Sequence, residues 1–325
     1  MYAIAPVVFP LMDLRASISS MYATYGHWQI IAQDYIENEF MCNLLTPAAD
    51  ALFGMVDPLA YVARLSLPIL MVAGSDDEFF HPDIAVAWFG DDSTRPAVRF
   101  PAPDDVHFAT IANADHPLGT VGSAEALDAI VAFARMLANQ VRSAAGAPGL
   151  SYRRPVFEWT TDRERGTVRA VVDRTRQPEL PDAVYQHYAL SVGADNATGS
   201  APRRDFRWYG VCPGAPDTLP TSVCQQQVWW FTRAIEPAVL NATTAVYETA
   251  PIADGALWAP HGGGGAGAEG GYRATYVDMH FASPDNYAGH LLFKFRKTTT
   301  VLVLPDVFPG TRAPTEEMLC SRTFV

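Results

Sequence analysis

Residues 68–80 read Pro68-Ile-Leu-Met-Val-Ala-Gly-Ser-Asp-Asp-Glu-Phe-Phe80, an apolar run that ends at Gly74 and is followed at once by acidic residues. A short continuous apolar run of this kind predicts a strand buried on both faces, which is typical of parallel sheets. Two similar runs, residues 2–9 and 106–111, predict further strands of the same sheet.

The segments between these runs have helical spacing. Residues 123–141 place apolar side chains on one face of a helix, with Ser123 as the predicted N-cap and Glu125 in the first turn. Residues 17–45 carry apolar and aromatic side chains at mixed helical spacing. Strands that alternate with helices predict parallel βαβ units, and so an α/β fold for residues 1–142.

The pattern changes at residues 143–150, which are rich in alanine and glycine and predict a linker. Beyond it, residues 151–325 carry short aromatic and β-branched segments that predict about seven strands. This number favours an all-β sandwich domain of immunoglobulin-like architecture. The predicted strands are residues 156–160, 167–173, 184–192, 205–209, 227–233, 272–281 and 291–304, the last as two strands or one bent strand.

Composition limits the function classes. The chain is 49% hydrophobic and 18% charged, as expected of packed globular domains, and its formal net charge of -12 argues against a nucleic-acid partner. No run approaches the ~20 apolar residues that a membrane-spanning helix needs. Residues 1–14 lack the positively charged start of a signal peptide.

No cofactor or metal is predicted. The eight histidines form no HExxH motif and no cluster with cysteine at the spacing of a metal site. The glycine-rich residues 262–271 lack the Lys-Ser/Thr of a phosphate-binding loop, and we interpret them as a flexible loop.

Cysteines and glycosylation sequons bear on the cellular compartment. The four cysteines form no CxxC pair, and three disulfide pairings are open to them if all are oxidised. Cys212 and Cys224 flank a loop that a disulfide could close. Sequons begin at Asn196 and Asn241. Together these features favour a secreted glycoprotein, whereas the alternative is a cytosolic protein with reduced cysteines.

An acid and a histidine follow two neighbouring predicted strands. Asp76 and Asp77 come after the strand that ends at Gly74, and His116 comes just after residues 106–111. Because catalytic groups gather at the carboxyl ends of parallel strands, we expect these side chains to meet. A carboxylate that accepts from an imidazole N–H fixes its tautomer and stabilises the imidazolium formed during proton transfer.

Other interpretations of these residues stay open. The two aspartates could simply cap the turn after the strand. His107 lies inside the third predicted strand and is expected to be a packed or surface side chain. His81 is expected at the surface, and the aromatic side chains near the acid are expected in the core or in a pocket wall; these are Phe79, Phe80 and Trp88.

Three motifs occur in series: Asp57-Pro-Leu-Ala-Tyr-Val-Ala-Arg-Leu-Ser-Leu-Pro68, Gly74-Ser-Asp-Asp-Glu-Phe-Phe80 and Asn113-Ala-Asp-His-Pro-Leu118. Their order and wording resemble the family of PhoPQ-activated pathogenicity-related proteins. The resemblance covers residues 2–141, and it is weaker beyond them, where Arg204-Asp-Phe-Arg207 and the terminal strands are similar. It implies an α/β-hydrolase fold with a β-rich C-terminal region.

The resemblance also implies roles. The family pattern makes Asp77, three residues after the glycine, the catalytic acid and His116 the catalytic histidine. The substrate of such a site would be a small ester or amide. The family also includes an autocrine proliferation repressor, so the resemblance equally implies a secreted, non-catalytic factor whose partner is a cell-surface receptor.

The sequence departs from the hydrolase pattern at the nucleophile. Hydrolases of this fold carry their serine in a G-x-S-x-G turn that precedes the acid and the histidine along the chain, and no such motif occurs in these residues. We therefore expect the catalytic domain to be truncated at its N-terminus. The chain as given is expected to be inactive, with residues 2–9 forming an edge strand.

Overall fold

The computed structural model describes residues 3–119, 122–146, 155–177, 179–191, 204–211, 223–226, 228–252, 271–281, 294–306, 308 and 314–320. Three features that the sequence singles out lie outside these residues: the sequon at Asn196, Cys212, and residues 262–270 of the glycine-rich run. The helices are α1 (Leu14–Tyr25), α2 (Gln33–Glu37), α3 (Pro47–Val56), α4 (Gly122–Ala144) and α5 (Glu316–Leu319). Short 3-10 helices cover Ile30–Ala32, Pro58–Arg64, Ile84–Ala87 and Pro103–Asp105.

The strands are β1 (Ile69–Gly74), β2 (Val106–Ile111), β3 (Phe157–Asp162), β4 (Thr167–Asp173), β5 (Ala183–Leu190), β6 (Tyr209–Val211), β7 (Val223–Gln225), β8 (Phe231–Ala234), β9 (Val239–Leu240), β10 (Thr244–Glu248), β11 (Arg273–Phe281), β12 (Phe295–Thr298) and β13 (Leu302–Leu304). The predicted strands at 68–73 and 106–111 are therefore confirmed. The sequence prediction missed β7, β9 and β10, and the last predicted segment forms two strands.

The described strands form a mixed α/β structure with several sheets, mostly antiparallel. A seven-stranded sheet has the order β1-β2-β12-β11-β5-β8, with β13 also paired to β11. Only β1 and β2 are parallel neighbours among these named strands, with Ile69 opposite Val106 and Gly74 opposite Ile111. A four-stranded sheet has the order β3-β4-β10-β9, and β6 pairs with β7.

The large sheet continues across the predicted linker. β12 pairs antiparallel with β2 through Thr298 and Phe108, so strands from both halves of the chain lie side by side. This arrangement differs from the expected parallel sheet followed by a separate sandwich, because β5, β8 and β11–β13 extend the sheet that β1 and β2 begin. The division into domains at residues 143–150 stays a prediction.

Alternation along β2 shows how the layers pack. All six of its residues are buried, as predicted for a strand covered on both faces. His107 contacts Phe133 of α4 on one face, with ring centroids 5.8 Å apart. Phe108 contacts Trp88 and Trp159 on the other face, where the four-stranded sheet lies. The main core cluster includes side chains from α4 and from both sheets.

α4 agrees with the predicted helix except at its start. The helix already includes Gly122, so Ser123 lies inside it and the prediction of an N-cap there is wrong. Glu125 lies in the first turn, as predicted, and its Oε2 accepts from Arg296 Nη1 of β12 at 2.6 Å.

Residues 3–8 run parallel to β1 on its free side but form no continuous strand. Isolated bridges join Ile4 to Ile69 and Val7 to Val72. The backbone of Val8 has a φ of 49°, which is a strained conformation for a β-branched residue. The edge position predicted for residues 2–9 is therefore observed for residues 3–8, whereas the predicted regular strand is not.

Helices α1 to α3 pack together around a second hydrophobic cluster. α5, the last helix in the described residues, packs against the same cluster. Asp13 Oδ1 caps α1 by accepting from Ala16 N at 3.1 Å, and Gly26 ends the helix in a left-handed conformation. Trp28 Nε1 donates to the Leu319 carbonyl of α5 at 2.9 Å.

Disulfides agree in part with the cysteine expectations. Cys42 pairs with Cys320 across a separation of 278 residues, which ties α5 to the first helices. Cys224 is also disulfide-bonded, while Cys212 lies outside the described residues.

Among the described residues, no helix combines the length and apolar character needed to cross a membrane.

Candidate functional site

The loops that follow β1 and β2 are joined by their backbones. Ser75 N donates to the Ile111 carbonyl at 2.9 Å, and Asp76 N donates to the Ala114 carbonyl at 3.0 Å. A Cβ on Gly74 would lie 2.2 Å from the Ala114 oxygen, so only glycine permits this approach. The two strand ends therefore hold their loops in fixed register.

Asp77 and His116 meet at this edge of the sheet. His116 Nδ1 lies 3.0 Å from Asp77 Oδ2 and 3.1 Å from Oδ1, which confirms the predicted pairing. The Asp77 side chain is 0% exposed and the His116 side chain 26% exposed. Asp77 Oδ1 also accepts from the backbone N–H groups of Phe79 and Phe80 at 2.7 and 3.0 Å. The aspartate therefore caps its own turn and also holds the histidine.

Electrostatics favour a basic His116. The hydrogen bond to Asp77 is the main cause that raises the pKa of His116, with burial acting in the opposite direction and the charges of Glu78 and Asp115 adding to the increase. Glu78 Oε2 accepts from His116 N at 2.9 Å, and burial raises the pKa of this glutamate. With Nδ1–H assigned as the donor to Asp77, Nε2 is left as the acceptor that a general base needs.

A cavity of 310 Å³ opens beside the His116 ring. Phe79 and Phe80 line it, with ring centroids 4.6 and 5.8 Å from that of His116. The prediction that the aromatics near the acid lie in the core or in a pocket wall is confirmed, because Phe79 and Phe80 line the cavity and Trp88 is buried in the core. The remaining lining residues are Val8, Phe9, Leu11, Leu14, Ile18, Met21, Ala32, Tyr35, Phe40 and Met41.

Asp76, the neighbour of the acid, has a different environment. Its Oδ1 accepts from Trp230 Nε1 at 2.7 Å, and its backbone carbonyl accepts from Trp208 N at 2.9 Å. Burial raises the pKa of Asp76 well above its ordinary value. Sequence reasoning missed both tryptophans, since no local pattern links them to a residue more than 130 positions earlier.

His81 is buried rather than exposed, so the surface prediction is wrong. Its side chain is 2% exposed, and Nδ1 lies 2.7 Å from Asp83 Oδ1 while Nε2 lies 3.0 Å from Ser20 Oγ. Arg204 donates to both oxygens of Asp83, with Nη1 3.0 Å from Oδ1. The histidine is therefore enclosed between α1, through Ser20, and the Arg204–Asp83 pair.

The Arg204 segment was predicted as a strand at 205–209, but only Tyr209 belongs to one. Arg207 pairs with Asp205, with Nη2 2.7 Å from Oδ2, and its guanidinium lies 4.3 Å from the centre of the Tyr25 ring. This segment therefore fastens the second half of the chain to α1.

His107 is a packed core residue, one of the two alternatives that the sequence left open. Its ring lies 5.4 Å from the Phe295 ring, and neither ring nitrogen has a hydrogen-bond partner in the described part of the chain. Burial lowers the pKa of His107 well below its ordinary value. It is therefore a poor rival to His116 for the pairing with Asp77.

The family comparison now bears on this geometry. The model of the PhoPQ-activated pathogenicity-related protein family matches residues 1–207, which is more than half of the chain. The chain belongs to this family. The matched region of this PhoPQ-related chain includes Asp77, His116 and Arg204, so it spans the His116–Asp77 and His81–Asp83 pairs.

A curated relative matches over a longer stretch. Autocrine proliferation repressor protein A of Dictyostelium discoideum is 26% identical over 313 residues, which are 94% of this chain and 52% of the relative. The PhoPQ-related chain thus spans about half the length of that protein. No solved structure matches it.

Proposed function

We propose that Asp77 and His116 are the acid and the general base of a hydrolase-type acyl-transfer site in this PhoPQ-related protein. The observation that supports this most directly is the contact of His116 Nδ1 with both Asp77 oxygens beside an open cavity. Placement after two parallel strands is the arrangement expected of an α/β-hydrolase sheet.

The chemistry assigned to the pair is proton transfer. His116 Nε2 takes the proton of a nucleophilic hydroxyl as that oxygen attacks the carbonyl carbon of an ester or amide. The buried Asp77 carboxylate stabilises the imidazolium that forms. The imidazolium then returns the proton to the leaving alcohol or amine as the bond to the carbonyl carbon breaks.

The proposal assigns the nucleophile to no residue of this chain. The sequence has no G-x-S-x-G turn, and the ring of His116 has only Asp77 oxygens as hydrogen-bond partners in the described part of the chain.

The experiment therefore supplies a nucleophile from solution. The purified chain is mixed with p-nitrophenyl butyrate and with mercaptoethanol at a concentration that leaves the Cys42–Cys320 disulfide intact by mass spectrometry, and release of p-nitrophenol is followed. We expect the native chain to accelerate the attack of the thiol on the ester, with a rate that saturates as the ester concentration rises. In His116→Gln this acceleration should fall about 100-fold, which is the lower end of general-base effects. The control is His27→Gln, which changes an exposed histidine. A His116→Gln chain that reacts at the native rate would exclude the proposed role.

A second candidate is a secreted factor that represses proliferation by binding a cell-surface receptor. It is supported by the name of the Dictyostelium relative, and by the Cys42–Cys320 disulfide, which is typical of oxidising compartments. The exposed sequon at Asn241, on the turn between β9 and β10, also fits a secreted glycoprotein.

Cell counting separates the two candidates. Purified native and His116→Gln chains are added to growing Dictyostelium discoideum cultures. A factor that acts by binding slows growth equally with either chain, whereas a factor that acts by catalysis loses its effect with the variant. No slowing by the native chain would count against the second candidate.

A further inference from the structure

The cavity beside His116 has an almost wholly apolar lining. Among its thirteen lining residues, only the Tyr35 hydroxyl and the His116 ring carry side-chain oxygen or nitrogen. A charged group buried among the apolar side chains would lose its hydration, and an anion at the His116 ring would also face the acidic Asp77, Glu78 and Asp115. The lining therefore selects a neutral, apolar guest.

A second cavity has a charged lining, so an apolar lining is not common to all cavities of this protein. It has a volume of 540 Å³ and lies against the same helix α1. Charged side chains line it, among them Asp13, Arg15, Arg163 and Asp306. α1 thus has an apolar side, with Ile18 and Met21 facing the His116 cavity, and a polar side facing the other.

The cavity has a buried floor and an exposed rim. Leu11, Ile18 and Met21 are buried, whereas Phe9 is 45% and Tyr35 48% exposed. At 310 Å³ its volume is at the small end of ligand pockets, which suits a chain of a few carbons better than a long lipid tail.

We propose that this cavity binds the short or medium-length apolar acyl chain of a neutral ester or amide, whose carbonyl group then lies against His116. The inference rests on the proposed acid–base role, because His116 fixes which end of the guest reacts. Specificity comes from the floor residues, which limit the length of the acyl chain.

Binding of unreactive amides tests the proposal without any chemistry. The N-methyl amides of acetic, butyric, octanoic and palmitic acid are titrated into the purified chain by calorimetry. We expect affinity to rise about fourfold for each added methylene until the floor is reached, and to stop rising before palmitic amide. Octanoate, which carries a charge, should bind at least tenfold more weakly than the octanoic amide.

Rim variants locate the bound chain with little risk to the fold. Tyr35→Asp and Phe9→Asp each place a carboxylate at the mouth and should weaken binding of the octanoic amide at least tenfold. Tyr61→Asp makes the same change at another exposed tyrosine outside the cavity and should bind like the native chain. Native-like binding by both rim variants would overturn the proposal.

The outcomes separate this inference from the function on which it rests. Equal affinity for all four amides, or equal binding of octanoate and its amide, overturns the acyl pocket even if His116→Gln abolishes the thiol reaction. A graded series with a His116→Gln chain that still reacts at the native rate supports the pocket and overturns the catalytic assignment.

Discussion

Two histidine–carboxylate pairs in this protein share a hydrogen-bonding pattern and differ in surroundings. In both, Nδ1 of a histidine lies within 3.1 Å of an aspartate oxygen: His116 with Asp77 and His81 with Asp83. His81 even has a hydroxyl at Nε2, that of Ser20, which completes a Ser–His–Asp chain.

The pKa values of the two histidines move in opposite directions. The Asp77 hydrogen bond raises the pKa of His116, whereas burial lowers the pKa of His81 despite the charge of Asp83. Burial is the largest cause of the difference, and the charge of Arg204, which pairs with Asp83, adds to it by opposing protonation of His81. The direction of each pKa shift therefore follows burial and nearby charge, and the shared contact of Nδ1 with an aspartate does not decide it.

The largest expected effect comes from removing that cation. Arg204→Ala leaves the buried Asp83 without its charged partner, and loss of one member of a buried pair costs about 3–5 kcal/mol of unfolding free energy. Urea unfolding followed by tryptophan fluorescence measures this. Arg165→Ala breaks the exposed pair with Glu248 and should cost at most about 1 kcal/mol. Similar losses of unfolding free energy in the two variants would show that the buried Arg204–Asp83 pair is no more important for stability than the exposed Arg165–Glu248 pair.

Stability should depend on pH in opposite ways at the two histidines. The lowered pKa of His81 means that its contribution is present above the unfolded value of 6.5 and is lost as pH falls below it. The raised pKa of His116 means that its contribution is present below 6.5 and is lost as pH rises through the folded value. The buried His107, whose pKa is also lowered, acts in the same direction as His81, so acidification from neutral pH destabilises the protein.

Urea midpoints across this range and histidine NMR titrations check the two signs. His116 should titrate above 6.5 and His81 below it. His116→Gln should keep the loss of stability on the acid side. A His81 that titrates above 6.5 would show that Arg204 and burial do not control it.

Asp77→Asn separates the two tasks of the acid by a smaller change. Asparagine keeps an oxygen for the Phe79 and Phe80 N–H groups but loses the charge that stabilises the imidazolium. We expect the pKa of His116 to fall and the thiol reaction to slow in Asp77→Asn. The unfolding free energy should change by less than in Asp77→Ala, because alanine also loses the oxygen that accepts from the Phe79 and Phe80 N–H groups, at a cost of about 1 kcal/mol. An unchanged His116 titration in Asp77→Asn would contradict the pairing as the cause of the raised pKa.

The sequence predicted one of the two pairs and missed the other for a physical reason. The strand-end rule brings Asp76 and Asp77 close to His116, and the family resemblance then selects Asp77 from the two aspartates. Asp83, the partner of His81, pairs with Arg204, which lies 121 residues further along the chain. No local pattern encodes such a contact, although the sequence does single out the Arg204 motif.

The same limit applies to the fold. Apolar periodicity predicted β1, β2 and α4 because each is a local property of the chain. The pairing of β12 with β2 depends on a contact between Thr298 and Phe108, which strand patterns alone do not specify. Sequence reasoning therefore predicted the elements of the large sheet without its continuity across residues 143–150.

The smallest expected effect concerns Ser20, where we expect no reaction with a serine-reactive probe. This result tests the comparison of the His116–Asp77 and His81–Asp83 pairs most directly. A serine-reactive fluorophosphonate labels a serine whose hydroxyl is activated and whose surroundings stabilise the developing negative charge. The free N–H groups of a helix N-terminus could stabilise such a charge, but Ser20 lies further along α1, beyond its N-terminal turn. Its hydroxyl also lies 2.7 Å from the Ser17 carbonyl, which competes with His81 for its single proton.

We therefore expect the intact mass of the chain to stay unchanged after incubation with the fluorophosphonate, and simple esters to be hydrolysed at the background rate when no thiol is added. Ser20→Ala should behave identically, with Ser19→Ala as the neighbouring control. Stoichiometric labelling at Ser20 that disappears in Ser20→Ala would reverse the comparison. Ser20, His81 and Asp83 would then be the nucleophile, base and acid, and Arg204 would be tolerated beside a working catalytic carboxylate.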